Sequence, residues 1–525
     1  MKHGLQFALT ALALSACATT PHNAHIAPAP PQIDDPYFQA GAARVAQAAS
    51  LPGSARNVIL FVGDGMSVTT VTAARIYAGQ SQGVDGESYN LALDTFPHLA
   101  LSRTYGNDAQ VSDSAPTATA MTSGVKTNAS VIGLDGGVTP GQCEDQDQYM
   151  VRSLFEIAED AGLATGVVST ARITHATPAA TYAHVANRDW ENDVELARQH
   201  GEGCTDIASQ LIAWPYGDGF EIVLGGGRAN FLPNTMADPG NPSRMGARAD
   251  GRNLADEWAA KPEHVTVFTA GELSAAPASA HILGLFSPSH MTYDSARPEG
   301  PDGEPSLAEM TAAAIRRLSQ NESGYVLMVE GGRIDHAHHE GRAGEALSET
   351  VALDNAIRTA LEMTSREDTL ILATADHSHT MTMAGYASRG NPILGLSAVD
   401  DHILLGADGK PYTTLGYANG PGAVMPSASD PSAIRAYMRS EAAEAGEPAD
   451  FDVPAPEPRE DLTDIDTTAL SFHQQSTVPM QSETHGGEDV PLYAWGAGDD
   501  AVGGTMEENA IFHIMARALG FEWQE

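Results

Sequence analysis

The sequence has few basic residues for its length. It contains 28 Lys and Arg against 68 Asp and Glu, which gives a formal net charge of −40 over 525 residues. This deficit argues against nucleic acid as a partner and against electrostatic docking on anionic lipid, because both need cationic patches. An anionic small molecule would be repelled at long range. A binding site for such a molecule must therefore be made locally positive, for example by metal ions.

Long apolar runs are missing after the N-terminus, since no later stretch approaches the ~18 apolar residues that a membrane-spanning helix needs. The chain begins with the basic start Met1-Lys2-His3 and the short apolar segment Leu5–Leu14, which is typical of a secretory signal peptide. Leu14-Ser15-Ala16-Cys17 resembles a bacterial lipobox. The pattern predicts a lipoprotein signal peptide over residues 1–16. An ordinary signal peptide with an incidental cysteine is the alternative.

Cysteine is also scarce, with three residues in the chain. A lipid on Cys17 would hold an exported protein at a membrane through its anchor alone, in the periplasm or on the cell surface, and Ala18 favours the outer membrane. Residues 17–54 are rich in Ala, Pro, His and Asn, which predicts a lipid anchor and a flexible tether. Cys143 and Cys204 are able to form one disulfide in an oxidising compartment, but sequence alone does not show that they lie close together.

From residue 55 to residue 525, apolar strand-like runs alternate with helix-like patterns. The expected strands are Asn57–Val62, Thr165–Ser169, Glu221–Leu224, Tyr325–Val329 and Thr369–Thr374. The expected helices are Met150–Ala161, Leu307–Leu318, Glu345–Met363 and Glu508–Ala518. This alternation predicts an α/β fold with a central, mostly parallel sheet flanked by helices on both faces. The Gly-, Pro-, Asp- and Ser-rich segment 387–481 interrupts the pattern and is interpreted as a loop-rich insertion rather than a second core.

Three acidic residues follow three of the expected strands. Asp64 follows Asn57–Val62, Glu330 follows Tyr325–Val329, and Asp376 follows Thr369–Thr374. In open α/β sheets, ligands bind beyond the carboxyl ends of the strands. The three acids are therefore expected to converge on one site.

A serine in a run of small residues, Val111–Ala120, is the first candidate for chemistry. Asp113 or Ser114 is a natural helix N-cap, and Pro116 is tolerated in the first turn. Ser114 would then lie at a helix N-terminus, where anions bind well. A serine needs a base or a metal to activate it, and no Gly-x-Ser-x-Gly elbow is present here, so a metal is the better activator. A simple helix cap is the alternative for an isolated Asp-Ser pair.

Several side chains have the spacing and chemistry of metal ligands. Asp335 and His339 are four residues apart and would share one helix face, although His338 competes for this role by spacing alone. Imidazole with carboxylate suits Zn²⁺. The remaining candidates are the pair Asp376-His377 after a strand, His485 before two glycines, and the hydroxyl of Thr177, which suits Mg²⁺.

Arg188 is the candidate for binding an anion. A guanidinium is able to hold two phosphate oxygens at once. An arginine in this setting stands out because basic residues are few. A surface ion pair is the alternative interpretation.

These motifs resemble those of the alkaline phosphatases, the metal-dependent phosphomonoesterases, and the likeness extends from about residue 55 to the C-terminus. The motifs that carry it are Gly63-Asp64-Gly65-Met66, Asp113-Ser114-Ala115, Glu330 with Asp335 and His339, Asp376-His377, and Thr484-His485-Gly486. The resemblance implies hydrolysis of phosphate monoesters, with Ser114 as the nucleophile that becomes phosphorylated and Arg188 as the phosphate clamp. It also implies two zinc ions and one magnesium ion. The implied ligands are Asp335, His339 and His485 for one zinc, Asp64, Asp376 and His377 for the other, and Asp64, Thr177 and Glu330 for magnesium.

Some positions depart from the best-known enterobacterial enzymes and resemble the animal type. His175 stands where those enzymes have aspartate, and His336 is also of the animal type. We expect both histidines to lie beside the magnesium site and to tune it without binding the ion. Calcium, which animal-type enzymes hold, is not expected, because Ser287 stands where that site would need glutamate. Members of the family are usually homodimers, which implies a homodimer here.

Two other functions remain open at the level of sequence. A phosphodiesterase or sulfatase of the same superfamily is the first, but Ala118 stands where a sulfatase motif would have arginine, and Ser114 with Arg188 favours monoesters. A non-catalytic lipoprotein that binds phosphate or metal is the second. It would be favoured by loss of the nucleophile or of a ligand, and every expected position is filled.

Overall fold

The computed structural model describes residues 24–48, 52–144, 146–201, 203–406, 408–423 and 459–524. The predicted signal peptide over residues 1–16 and the lipidation site Cys17 lie outside these residues. The strands, in chain order, are β1 (His25–Pro28), β2 (Asn57–Gly63), β3 (His98–Arg103), β4 (Ala164–Arg172), β5 (Ile222–Gly226), β6 (His264–Val267), β7 (His281–Leu285), β8 (Tyr325–Gly331), β9 (Thr369–Thr374), β10 (Ser378–His379), β11 (Met381–Met383), β12 (Ala398–Val399), β13 (His402–Ile403), β14 (Leu415–Gly420), β15 (Ser476–Pro479), β16 (His485–Gly486), β17 (Val490–Gly496), β18 (Gly504–Glu507) and β19 (Phe521–Gln524).

The helices alternate with the strands along the chain. In order they are α1 (Pro36–Val45), α2 (Val68–Ser81), α3 (Ser114–Ser123), α4 (Leu154–Asp160), α5 (Ala176–Ala179), α6 (Asp193–Arg198), α7 (Ile207–Ala213), α8 (Leu254–Ala259), α9 (Ala270–Ala275), α10 (Leu307–Leu318), α11 (Arg333–His339), α12 (Ala343–Met363) and α13 (Ala510–Leu519). The predicted helix Met150–Ala161 begins later, at Leu154. Ser153 and Glu156 form a capping box there, which fixes the first turn.

A ten-stranded sheet organises the described residues, in the order β18-β3-β17-β9-β2-β8-β4-β5-β7-β6. Every neighbouring pair is parallel except the two pairs that include β17. The central strand β2 is buried along its whole length, as its continuous apolar run predicts for a strand covered on both faces. The prediction of a mostly parallel sheet is confirmed.

Helices cover both faces of this sheet, because alternate side chains of a strand point to opposite sides. Val58, Leu60 and Val62 belong to a core that also contains side chains of α1, α3 and α13. Ile59 and Phe61 belong to a second core, which contains side chains of α2, α10 and α12. The predicted α/β architecture with helices on both faces is therefore confirmed.

The predicted flexible tether over residues 17–54 is wrong for residues 24–48, which are folded. β1 pairs in parallel with the C-terminal strand β19, and α1 packs against α13. The physical reason is local: Asp35 caps α1 by accepting from the amides of Tyr37 and Phe38, and Pro36 is in the first turn. Phe38 is then 1% exposed, with its ring 5.5 Å from that of Phe512.

The predicted insertion 387–481 contains short strands in the part of it that the structure describes. β12 and β13 form a hairpin, and β14 joins β11 and β15 in a three-stranded sheet apart from the main one. Residues 424–458 lie outside the described part of the chain. Elsewhere, Cys143 and Cys204 form a disulfide with their Cα atoms 5.6 Å apart. In the described residues, no helix is both long and apolar enough to cross a membrane.

Candidate active site

The three acidic residues at strand ends lie together at one edge of the sheet. β2, β8 and β9 are neighbours, and their register places Val62 beside both Glu330 and Thr374. Asp64 and Asp376 follow β2 and β9, and Glu330 is the penultimate residue of β8, so the three acids converge at the carboxyl ends of these strands. All three are fully buried. The expected convergence of the acids is present in the structure.

Ser114 is the first residue of α3 and faces this edge. The N-cap is Asp113, whose side chain accepts from the amide of Ala115 at 3.0 Å. Ser114 is 2% exposed, and its Oγ lies 3.1 Å from Nε2 of His377 and 3.5 Å from Oδ1 of Asp64. The hydroxyl thus sits at a helix N-terminus, which favours anions, and against candidate metal ligands.

Asp335, His339 and His485 form the first ligand cluster. Asp335 and His339 are one turn apart on α11, with Oδ1 and Nε2 separated by 3.3 Å. His485 is brought to them because β16 pairs with β10, and its Nε2 lies 3.1 Å from Nε2 of His339 and 3.4 Å from Oδ1 of Asp335. The other ring nitrogens bond to main-chain carbonyls of Glu483 and Ser112, which fixes both rings.

His338, the alternative partner of Asp335 by spacing, points elsewhere. Its ring nitrogens bond to the hydroxyls of Thr70, at 3.1 Å, and Tyr417, at 2.8 Å. The structure therefore selects the i, i+4 pair over the i, i+3 pair.

Asp64, Asp376 and His377 form the second cluster. Nε2 of His377 lies 3.4 Å from an oxygen of each carboxylate. The oxygen of Asp64 is Oδ1 and that of Asp376 is Oδ2. In both acids Oδ2 is buried without a hydrogen-bond partner among the described residues. An unpaired buried carboxylate oxygen is costly, and a metal ion at this position would satisfy both.

The third cluster contains Asp64, Glu330 and His175, whose ligand atoms lie within 4.8 Å of one another. Thr177 is buried on α5, which packs against β8, the strand that carries Glu330. Glu330 also accepts a short hydrogen bond from Ser169. The carboxylate and hydroxyl oxygens gathered here suit Mg²⁺.

His336 lies beside His175 of the third cluster, with the two ring centroids 5.6 Å apart. His290, which the sequence analysis did not single out, packs 4.0 Å from His336 and 5.4 Å from His175. Burial lowers the pKa of His336 to about 3 and the pKa of His175 well below its ordinary value. The rings of His175 and His336 are consequently neutral.

The buried carboxylates of the three clusters favour the binding of cations. Burial, together with the neighbouring carboxylates, raises the pKa of Asp64 well above its ordinary value, raises the pKa of Glu330 to about 7, and raises that of Asp376. Burial lowers the pKa of His377 and His339, which keeps both imidazoles in the neutral, metal-binding form. Divalent ions would stabilise the ionised carboxylates. The donor set therefore fits metal ions in all three clusters.

His379 and Glu483 support the first cluster and were missed by the sequence analysis. The buried ring of His379 binds Oδ1 of Asp335 through Nε2 at 2.8 Å and Oε2 of Glu483 through Nδ1 at 2.5 Å. These bonds outweigh burial and raise the pKa of His379 to about 9. The ring leaves no room at Gly65, where φ is +70° and a Cβ would lie 2.2 Å from His379.

Arg188 lies beside Ser114 in the same cavity, which has a volume of 330 Å³. Its Nη1 donates to Oδ1 of Asp113 at 2.9 Å, and its Nη2 lies 3.0 Å from Nε2 of His175. Asp113 therefore caps α3 and also positions the guanidinium, a second role that the helix-cap pattern does not reveal. The arrangement suits an anion bound between Ser114 and Arg188.

Comparison with known proteins agrees with this geometry. The family model described as alkaline phosphatase matches residues 55–521. The chain is 43% identical to the tissue-nonspecific alkaline phosphatase of Gallus gallus, covering 88% of this chain and 84% of the relative, and 42% identical to an alkaline phosphatase of Gadus morhua, covering 88% and 91%. Among solved structures, the alkaline phosphatase of Thermus thermophilus matches with a TM-score of 0.60 and 27% identity, over 91% of this chain and 94% of that one. The enzyme of the Antarctic bacterium TAB5 matches in fold, with a TM-score of 0.57 and 22% identity over 89% and 98%.

Proposed function

This chain belongs to the alkaline phosphatase family, whose members hydrolyse phosphate monoesters, and we propose that it does so through a phosphoserine intermediate on Ser114. The proposal includes two zinc ions, one held by Asp335, His339 and His485 and one by Asp64, Asp376 and His377. It also includes a magnesium ion held by Asp64, Thr177 and Glu330. The observation that carries it is the position of Ser114 Oγ, 3.1 Å from His377 and 3.5 Å from Asp64.

In the first step, Ser114 Oγ attacks phosphorus. The bond from Oγ to phosphorus forms, the bond from phosphorus to the ester oxygen breaks, and the alcohol leaves with a proton. When bound, the metal ions supply positive charge that stabilises the ionised serine and the leaving oxygen and makes water a better nucleophile. Arg188, held by Asp113, grips two phosphate oxygens, and the N-terminus of α3 adds its exposed amides.

In the second step, water attacks the phosphoserine from the side that the alcohol has left. The bond to Ser114 Oγ breaks, the serine regains a proton, and inorganic phosphate is released. Each in-line displacement inverts the configuration at phosphorus. Two such steps give overall retention, which a chiral phosphate ester would report.

Hydrolysis of p-nitrophenyl phosphate at alkaline pH tests the proposal. The purified protein should be active with Zn²⁺ and Mg²⁺, inactive after chelation, and several orders of magnitude slower as Ser114→Ala, because the nucleophile is gone. Ser153→Ala is the matched control, since Ser153 is also a buried serine at a helix N-terminus but lies outside the clusters.

A folded, zinc-loaded protein without monoesterase activity would refute the proposal. Activity toward bis-p-nitrophenyl phosphate or a sulfate ester instead would identify a diesterase or sulfatase. Retained activity in Ser114→Ala would refute the phosphoserine step alone.

The cellular context rests on the sequence. We propose a lipoprotein that is exported, anchored through Cys17 and placed at the outer membrane, and that assembles as a homodimer. Mass spectrometry of the mature N-terminus tests the lipid, and light scattering of the purified protein tests the dimer.

A further inference from the structure

The cavity above Ser114 shows where the alcohol portion of a substrate must lie. Its lining runs from the nearly buried Ser114 to the exposed side chain of Asp189. In an in-line displacement the leaving group lies opposite the attacking oxygen. A phosphate attacked by Ser114 therefore directs its alcohol away from Ser114 and into this cavity, whose exposed rim includes Asp189.

Most of the other charges around this cavity are already balanced. Arg172 binds Glu191 with two bonds, from Nη2 to Oε1 at 2.6 Å and from Nε to Oε2 at 2.7 Å. Arg188 is paired with Asp113 at 2.9 Å. Asp335, His339 and His485, which also line the cavity, are the proposed zinc ligands.

Asp189, at the rim of the cavity, is the acid of this lining whose charge is not balanced by a basic side chain among the described residues. Within the part of the chain that the structure describes, its carboxylate makes no ion pair, and it accepts one side-chain hydrogen bond, from Nε2 of Gln199 at 3.4 Å. The net charge of −40 adds a repulsive field of the same sign.

The backbone at Asp189 is held by its neighbours. The amide of Asp189 donates to Oδ1 of Asn187 at 2.9 Å, and the amide of Arg188 donates to the carbonyl of Ser130 at 2.7 Å. The next residue, Trp190, is fully buried. The backbone at Asp189 is thus fixed between two anchored neighbours, which keeps the residue at the rim of the cavity.

We propose that Asp189 determines substrate preference, selecting monoesters whose alcohol portion is cationic or uncharged over those whose alcohol portion carries a further negative charge. This inference rests on the proposed phosphomonoesterase function. The favoured substrates are phosphates of amino alcohols and of neutral alcohols, and the disfavoured substrates are phosphorylated hydroxy acids.

Three phosphate esters of two-carbon alcohols test the proposal: phosphoethanolamine (cationic), ethyl phosphate (neutral) and phosphoglycolate (anionic). The measured quantity is the ratio of kcat/KM for phosphoethanolamine to that for phosphoglycolate. Comparing this ratio between enzymes cancels the intrinsic reactivity of the esters. In Asp189→Asn it should fall about three- to ten-fold at low salt, the effect of one charge several ångströms away in water. The value for ethyl phosphate should change least.

Two controls test whether the change in the kcat/KM ratio comes from the charge at Asp189 or from the total charge of the protein. Asp147→Asn removes the same charge from an exposed acid that lines a different cavity, beside Cys143, and should leave the ratio unchanged. In 1 M salt, where the screening length is about 3 Å, the difference between wild type and Asp189→Asn should shrink.

An unchanged ratio in Asp189→Asn, or an equal change in Asp147→Asn, would overturn the inference while leaving the phosphatase function intact. A change that persists undiminished in 1 M salt would also overturn it, because it would be steric. Inactivity of the wild-type protein toward all three esters and p-nitrophenyl phosphate would instead refute the proposed function, and the inference with it.

Discussion

Replacement of His379 should weaken metal binding although the residue is not itself a proposed ligand. The ring is fully buried and joins Asp335, a proposed zinc ligand, to Glu483. Its two hydrogen bonds fix the orientation of the Asp335 carboxylate before any ion binds. Residues that orient a ligand in this way commonly change metal affinity by one to two orders of magnitude.

Replacing His379 with Gln or with Asn tests its hydrogen bonds to Asp335 and to Glu483 separately. In His379→Gln, the amide nitrogen is able to reach the position of Nε2 and to keep the bond to Asp335. In His379→Asn, the shorter side chain keeps a donor near the position of Nδ1, toward Glu483, and loses Asp335. A hydrogen bond to a charged group contributes about 1.5–3 kcal/mol. The loss of zinc affinity in His379→Asn should therefore be about 10- to 100-fold, and the loss in His379→Gln should be smaller.

Zinc titration of the metal-free protein against a chelator of known affinity measures this effect, with bound zinc and activity followed together. His338→Gln is the matched control, because His338 is another buried histidine on the same helix as Asp335 but bonds Thr70 and Tyr417. It should lower thermal stability without changing zinc affinity. Wild-type zinc affinity in His379→Asn would refute the reasoning, as would an equal loss in all three variants.

Two further predictions concern stability. Burial, together with the charge of Glu221, raises the pKa of Glu159 to about 9. The contribution of the protonated Glu159 to the stability of the folded protein is therefore complete below the unfolded pKa of about 4.5, and it is lost as pH rises through 9. Glu159→Gln should accordingly gain Tm relative to wild type, by an amount that grows between pH 5 and pH 9; parallel Tm profiles against pH would contradict this. The disulfide between Cys143 and Cys204 closes a loop with a sequence separation of 61, so its removal should lower the free energy of unfolding by up to about 4 kcal/mol. Urea unfolding of Cys143→Ser checks this, and an unchanged midpoint would contradict it.

Much of the sheet and of the site could be predicted because the relevant signals are local. The buried strands β2 and β9 are largely continuous apolar runs, and the acid that follows each of them lies within two residues of the strand that positions it. The helix Leu307–Leu318 has the same bounds in sequence and structure, since its apolar face and its Ser306 cap both mark it. Where the residues of one segment alone determine its structure, the sequence pattern is sufficient to predict that structure.

The missed features depend on partners distant in sequence or on weak local signals. His379 and Glu483 are 104 residues apart, and only the pairing of β10 with β16 brings them together. The folded segment 24–48 has the composition of a linker, although Asp35-Pro36 was a usable helix-start signal. Asp113 was interpreted as a cap because its second partner, Arg188, is 75 residues away.

The acidic character of the protein and its proposed anionic substrate are reconciled by the metal sites. Asp64, Glu330, Asp335 and Asp376 place four carboxylates around Ser114, and without cations an incoming phosphate would meet negative charge there. Three divalent ions, as proposed, would exceed these four charges by about two and turn the floor of the cavity positive. Arg188 cannot do this alone, because Asp113 already balances it. Chelation should therefore abolish phosphate binding as well as turnover, even though the phosphate clamp itself is untouched.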